Sequence, residues 1–397
     1  MNERLITICT VLYGLALGSM AFSKAAFSAF GGLAVILSLP LLIKQPRLFG
    51  VSFMIPFFAF IGSLLIAIAL APEFSEAWKK CDGLWPFVFL FSAAAIGRKT
   101  TNPHHFLYAL LAFGGLSGLY SIGMALDWLP SHKVYSSRNV PPTHIMASAV
   151  ILTTILPLAV DTFFRYEGKK RLFFLAIALL TLFGLISTQQ RANLGIGCIL
   201  AALIPFFHLR KSKTKVLLAI ALFAAIPFVF HFSGERTQGI FDFDLNQLSS
   251  SDEVRLAHWE VAWDSWKDKP FFGHGLGSYS QLALNHSTHG EYLEYHVLHG
   301  QFATHNYPLH VLATQGVFGL LLVSWFAWSV LWAFLNRFQE NRQAVIFGIL
   351  AWLIFVGTSF TDTPMYQSVR LAAFTIITGF AYGLLNSQQN SQQNNLD

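Results

Sequence analysis

Twelve predominantly apolar stretches free of Asp, Glu, Lys and Arg run through this chain of 397 residues, and they dictate its solvent. They lie at 5–23, 25–43, 48–72, 83–97, 104–126, 140–160, 172–190, 192–209, 216–232, 302–336, 343–361 and 371–385. A membrane-spanning helix needs roughly 17–25 predominantly apolar residues, and most of these runs are that long. A lipid-exposed backbone must satisfy its own N–H and C=O groups, so each span is expected to be a helix. The period-2 alternation of a membrane β-barrel is missing. Only 12% of the residues are charged, against roughly 25% in a soluble domain. An ordinary soluble enzyme, a disordered chain and a nucleic-acid-binding domain are thereby excluded. The expected fold is all-α, a polytopic membrane protein with about 12 transmembrane helices. The short runs 83–97 and 371–385 would extend by taking in Asp82 and Arg370, and 302–336 would hold one span starting near Pro308.

Lys and Arg set the orientation. With the N-terminus in the cytoplasm, the inner side carries 15 of the 26 basic residues, including Lys169, Lys170, Arg171 and the cluster Arg210–Lys215. Of the rest, Arg236, Arg255, Lys267 and Lys269 share one long outer loop, which the rule does not count. Both termini are therefore expected to be cytoplasmic, and the basic balance needs no nucleic-acid partner. Arg4 and its apolar run read as an uncleaved first span, since no small-x-small cleavage site ends it at a typical length. Cys9, Cys81 and Cys198 lie within or beside spans, which suggests packing and no disulfide framework.

Residues 233–307 form an outer loop of 75 residues holding seven of the 14 histidines. Spans one to nine then occupy 1–232, the loop 233–307, spans ten to twelve 308–385, and a disordered cytoplasmic tail 386–397. A loop this long in a compact membrane protein is usually functional. Ser250 followed by Glu253 reads as a capping box, opening a helix that Pro270 stops after about Lys269. Trp259, Trp263 and Trp266 fall on one stripe of it. That stripe either lies in the headgroup zone or packs on the spans beneath.

Arg191, in Ser187-Thr-Gln-Gln-Arg-Ala-Asn, is the only charge between Leu172 and Leu209. A cation in the tight outer turn between two spans either snorkels or clamps an anion. Arg255 opens the loop helix. His305, in Thr304-His-Asn-Tyr-Pro, precedes the tenth span, and a histidine there can accept a proton near neutral pH. His286-x-x-His289 and His296-x-x-His299, with Glu291 and Glu294 between them, have the spacing of a divalent-metal site. Their surroundings look loop-like, and no third element of fixed spacing completes a set, so no metal is assigned. Gly273-His-Gly-Leu-Gly277 lacks the Lys-Ser/Thr of a phosphate loop and reads as a turn.

Three segments in order resemble a known family. They are Thr188-Gln-Gln190-Arg191-Ala; Arg255-x-x-x-Trp259 leading to Lys269-Pro-Phe-Phe-Gly273-His-Gly-Leu-Gly277; and Thr304-His305-Asn306-x-x-Leu309 continuing to Gly316-Val-Phe-Gly319-Leu320. This order is similar to the O-antigen ligase and polymerase superfamily, and best to the WaaL-type O-antigen ligases. The resemblance implies a glycosyltransferase of the bacterial inner membrane with its active site facing the periplasm. Its substrates would be O-antigen linked to undecaprenyl pyrophosphate as donor and lipid A–core as acceptor, joined in an inverting, metal-independent reaction of lipopolysaccharide biosynthesis without cofactor. It further implies that Arg191 and Arg255 hold the donor pyrophosphate and that His305 activates the acceptor. Gln190, Asn306 and Trp259 belong to the same motifs, and Asp362 and Arg370 are similar to a polar outer turn of such ligases, so all five are supporting candidates. An O-antigen polymerase uses the same donor and stays open as an alternative. A lipid-linked oligosaccharide flippase is the alternative of another class, but the midspan regions lack the ionisable groups a transporter needs.

Overall fold

The computed structural model describes residues 2–45, 48–129, 145–208, 250–298 and 304–393, and among these the chain is wholly helical. In chain order the helices are α1 (Glu3–Ser19), α2 (Lys24–Lys44), α3 (Val51–Ala69), α4 (Phe74–Cys81), α5 (Phe87–Gly97), α6 (His104–Ala125), α7 (Ile145–Arg165), α8 (Gly168–Ser187) and α9 (Arg191–His208). They continue with α10 (Ser250–Asp268), α11 (Tyr279–Asn285), α12 (Gly290–Leu298), α13 (Tyr307–Leu335), α14 (Arg342–Ser359) and α15 (Ser368–Gln393). Nine of the described helices are long and apolar enough to cross a membrane, which makes this a multi-pass membrane protein. Two further expected spans are shorter helices, α1 at 17 residues and α5 at 11. The expected ninth span, 216–232, lies outside the described residues.

The short α5 has a packing explanation. Asp82–Leu84 form a 3₁₀ turn, so the helix does not extend back through Asp82 as expected and begins only at Phe87. Nearly all of it is buried against α15. The two backbones approach so closely that a Cβ at Gly97, Gly379 or Gly383 would collide with the facing main chain. Small residues at such crossings are how helices gain contact area in lipid, where apolar burial between helices gives little driving force. The innermost post, α15, runs on through Gln393. The tail expected to be disordered from residue 386 is thus helical to that point.

Within the long loop, α10 begins and ends within a residue of the capping-box and Pro270 expectations. Its packing face differs from the tryptophan stripe. Val254, Ala257, His258, Val261, Ala262 and Ser265 are buried, while Trp263 stays half exposed. With Tyr279, Ala283 and Leu293 of the next two helices, these residues form a small core closed by Ala313 of α13. Small side chains win that face because α10 lies close against α13.

Helix α13 is broken at Gly316, whose φ of 66° and ψ of −168° are not helical. Residues 270–275 fill the break. Val317 N–H donates to Pro270 O at 2.8 Å and Phe318 N–H to Phe271 O at 3.1 Å; His274 N–H reaches Ala313 O at 3.0 Å and Gly275 N–H reaches Thr314 O at 2.9 Å. A break at membrane depth is tolerated when neighbouring chain satisfies the freed groups. Gly273 and Gly316 meet main chain where any Cβ would collide, at positive φ. Two glycine-bearing motifs distant in sequence are therefore one structural joint.

Candidate active site

The site lies where the 304–306 turn, the α14–α15 connection and the start of α2 converge. Asn306 caps α13, its Oδ1 accepting Leu309 N–H at 3.1 Å. The residue before it must turn sharply, and His305 does so with a φ of 50°. Left-handed backbone in a non-glycine residue is uncommon. Here it is held in place by its neighbours: Thr304 Oγ1 donates to Asn306 O at 2.6 Å, and Trp259 Nε1–H on α10 donates to Thr304 O at 2.9 Å. Asn306 Nδ2–H also reaches Phe360 O at 3.4 Å, tying this turn to the end of α14.

Asp362 is the hub. Its Oδ1 accepts Thr363 N–H and Gln367 Nε2–H, each at 2.8 Å, and stands 3.5 Å from His305 Nδ1, a charge contact that falls outside hydrogen-bond geometry. Its Oδ2 accepts from Arg370 Nη2–H at 2.8 Å. Asp362 and Arg370 are 2% and 5% exposed, so this is a buried, hydrogen-bonded ion pair. Burial pushes the Asp362 carboxyl up, but the His305 contact and the Arg370 guanidinium outweigh it and hold it well below the usual carboxylate range. A carboxylate facing Nδ1 favours the tautomer with its proton there, leaving Nε2 as the basic nitrogen.

A cleft of about 350 Å³ opens beside this hub, lined by Lys24, Ala147, His305, Asp362, Tyr366, Gln367 and Arg370 among others. Lys24 starts α2, whose cap Ser23 accepts Ala26 N–H. The α1–α2 turn is fixed to α7 by Ser148 Oγ–H donating to Ala21 O at 3.0 Å. Sequence reasoning missed Lys24 and Gln367. The only signal for Lys24 was its place as the sole cation of an outer turn, and nothing in the sequence ties Gln367 to Asp362.

The other expected residues fall at this end of the bundle or on the loop above it. Arg255 is half-buried on the first turns of α10, near enough for its charge to act on Arg370. Arg191 opens α9, where Gln190 O accepts Leu194 N–H at 2.9 Å, after a left-handed Gln189 with φ 52°. Nearby Asn193 O accepts from Thr153 Oγ1 of α7, and α7 starts beside the cleft at Ala147. Arg191 thus shares this end with His305 but does not line the cleft. Next to His305, buried His258 presents a ring edge with centroids 6.5 Å apart, and its Nδ1 lies 3.1 Å from the Tyr279 hydroxyl.

The loop histidines His286 and His289 stack on each other, with ring centroids 5.4 Å apart, and each faces its own carboxylate. His286 Nε2 lies 3.3 Å from Asp264 Oδ2, and His289 Nε2 lies 2.7 Å from Glu260 Oε2. No group of three or more metal-binding side chains occurs among the described residues. His299 lies outside them, as does the side chain of His296. The Gly273–Gly277 segment is a turn as expected, with buried Leu276 donating its N–H to Ala67 O at 2.8 Å.

Residues 176–324, from within α8 to within α13, match the family model described as O-Antigen ligase. Over that segment the resemblance read from the sequence holds, and the match contains Arg191, Arg255 and His305. Lys24, Asp362 and Arg370 lie outside it. No curated protein matches the chain.

Proposed function

Taking the O-antigen ligase region as premise, we propose that this chain transfers O-antigen from undecaprenyl pyrophosphate to a sugar hydroxyl of lipid A–core, on the periplasmic face of the bacterial inner membrane. The observation that carries the reading is the buried Asp362 set against His305 Nδ1 beside a cation-lined cleft. His305 Nε2 takes the proton of the acceptor hydroxyl as its oxygen bonds to the anomeric carbon. The bond from that carbon to the pyrophosphate breaks, and its electron pair leaves with the pyrophosphate. The attack comes from the face opposite the leaving group, so the configuration inverts. Asp362 keeps the imidazole in the competent tautomer and stabilises the imidazolium formed. Arg370, committed to Asp362, positions it. Arg191, Arg255 and Lys24 meet the charge growing on the departing oxygens, and guanidinium forks suit phosphate oxygens better than ammonium.

Deleting the gene and separating the lipopolysaccharide on a gel tests this. Bare lipid A–core, with full-length polysaccharide retained on the lipid carrier, is expected. Core bearing a single repeat unit would identify the polymerase reaction. In a purified transfer assay, Arg191→Lys or Arg255→Lys should lower the rate by about 10²–10³. Wild-type turnover of Arg191→Lys would reduce that residue to a turn marker.

A further inference from the structure

At the other end of the bundle, α6 and α8 form a second, unrelated cleft. The two helices cross closely at Gly114 and Gly118, where a Cβ would collide with Thr181 Oγ1 and Leu180 O. Away from this crossing the pair opens into a cleft of about 500 Å³, walled by Tyr108, Leu111 and Ala112 of α6 and by Phe173, Phe174 and Ile177 of α8. Lys169 and Lys170 sit at its mouth.

The mouth is built. Tyr108 and Tyr166 share a hydrogen bond between their hydroxyls at 2.5 Å, and both rings stack on Phe174, at 5.9 and 5.2 Å. Lys170 Nζ sits 5.6 Å above the Tyr166 ring. Arg171 lies over Phe163 instead, 4.5 Å from the ring. The cleft therefore joins an apolar trough to two ammonium groups, one of them oriented by an aromatic platform. Phe173 on its wall is 61% exposed and the adjoining Leu172 is 66% exposed, as suits side chains facing acyl chains.

We propose that this cleft binds one anionic glycerophospholipid of the surrounding bilayer, with its phosphate on Lys169 and Lys170 and an acyl chain along Leu111, Phe173 and Ile177. Charge complementarity selects the occupant: a zwitterionic headgroup brings its own ammonium to a mouth that already holds two, and a free phosphate leaves the trough unfilled. Basic pockets between membrane helices recognise anionic headgroups in this way. The position also separates this lipid from the glycan donor, because α6 and α8 both start here and run towards the His305 end.

Native mass spectrometry of the purified full chain, incubated with equal amounts of phosphatidylglycerol and phosphatidylcholine, tests the site. The wild type should retain phosphatidylglycerol preferentially. The Lys169→Gln/Lys170→Gln double variant should lose that preference on the order of tenfold, and the double Lys→Arg variant should keep it. Ala112→Trp, filling the trough at an exposed position with both charges intact, should also release the lipid. Equal retention of the two lipids by the wild type overturns the proposal, as does unchanged retention in both the Gln and the Trp variants. Displacement of the lipid by millimolar inorganic phosphate would show recognition of phosphate alone and overturn the lipid assignment.

Discussion

Two carboxylates in this molecule are each gripped by an arginine and a histidine, and they are built in opposite ways. Asp161, fully buried near the end of α7, accepts from Arg165 Nε–H at 2.6 Å and lies 2.9 Å from His208 Nε2. Asp161 and Arg165 are one turn apart on the same helix, and His208 ends α9 with its ring stacked on Phe164. Regular helices supply all of it, and its effect is to fasten α9 to α7. Asp362 draws its partners from a turn, a 3₁₀ connection and a later helix. His305 offers Nδ1 where His208 offers Nε2, and His305 stands on left-handed backbone beside a cleft. The same three residue types make a fastener in one place and, in the proposed reaction, an oriented base in the other. What separates them is which ring nitrogen is committed and whether a cleft adjoins the other.

The sharpest test of that contrast exchanges the histidines' fates. His305→Ala should cut glycan transfer by about 10²–10⁴, the usual contribution of a general base, while leaving detergent stability intact. His208→Ala should transfer normally. A purified transfer assay on both decides it; near-normal rates for His305→Ala would remove the base from the scheme.

The carboxylates come next. Asp362→Asn should lower the rate by up to about 10⁴-fold through loss of the competent tautomer and orientation of the imidazole. Both substitutions break an ion pair and should cost about 3 kcal/mol of stability, Asp362→Asn at least as much because Arg370 is the more buried partner; only Asp161→Asn should keep its rate. The pH dependence of stability tests the Asp362 pair further. The folded-state pKa of Asp362 is depressed, so its stabilising effect is fully present above the unfolded value of about 3.9 and lost only as pH falls through the lower folded value. The melting temperature should therefore stay flat on mild acidification, and a loss of stability well above the unfolded value would show that the carboxyl is not held down in the folded protein.

The smallest effect concerns the support of the His305 turn. Trp259→Phe keeps the ring and removes only the Nε1–H bond to Thr304 O, an interaction worth about 1 kcal/mol. Transfer should fall by less than tenfold, through the turnover number rather than KM. An unchanged turnover number would show that α10 does not position the histidine.

Much of this was legible along the chain because it is local. Uncharged runs mark helices in lipid, Ser250, Glu253 and Pro270 bound α10, and the Thr304-His305-Asn306 sequence flags a helix start with a histidine beside it. What the sequence left undecided or misplaced shares one cause. Spacing puts the tryptophans of α10 on one stripe without deciding whether it meets headgroups or the spans beneath, and the approach of α13 makes Val254, Ala257 and Val261 the packing face. Run length makes 83–97 a span in need of extension, yet the glycines of α5 and α15 let a short helix pack wholly inside protein.

Sequence alone settled the solvent, the helical class and the histidine–arginine motifs, since each depends on neighbours within a few turns and on the cost of charge or bare backbone in lipid. Tertiary structure alone decided that Asp362 is the partner of His305, that Lys24 from the second helix enters the same cleft, and that the Gly316 break in α13 is sealed by residues 270–275. No periodicity encodes those pairings, because hydrogen bonds and ion pairs between distant segments exist only once the helices carrying them have packed.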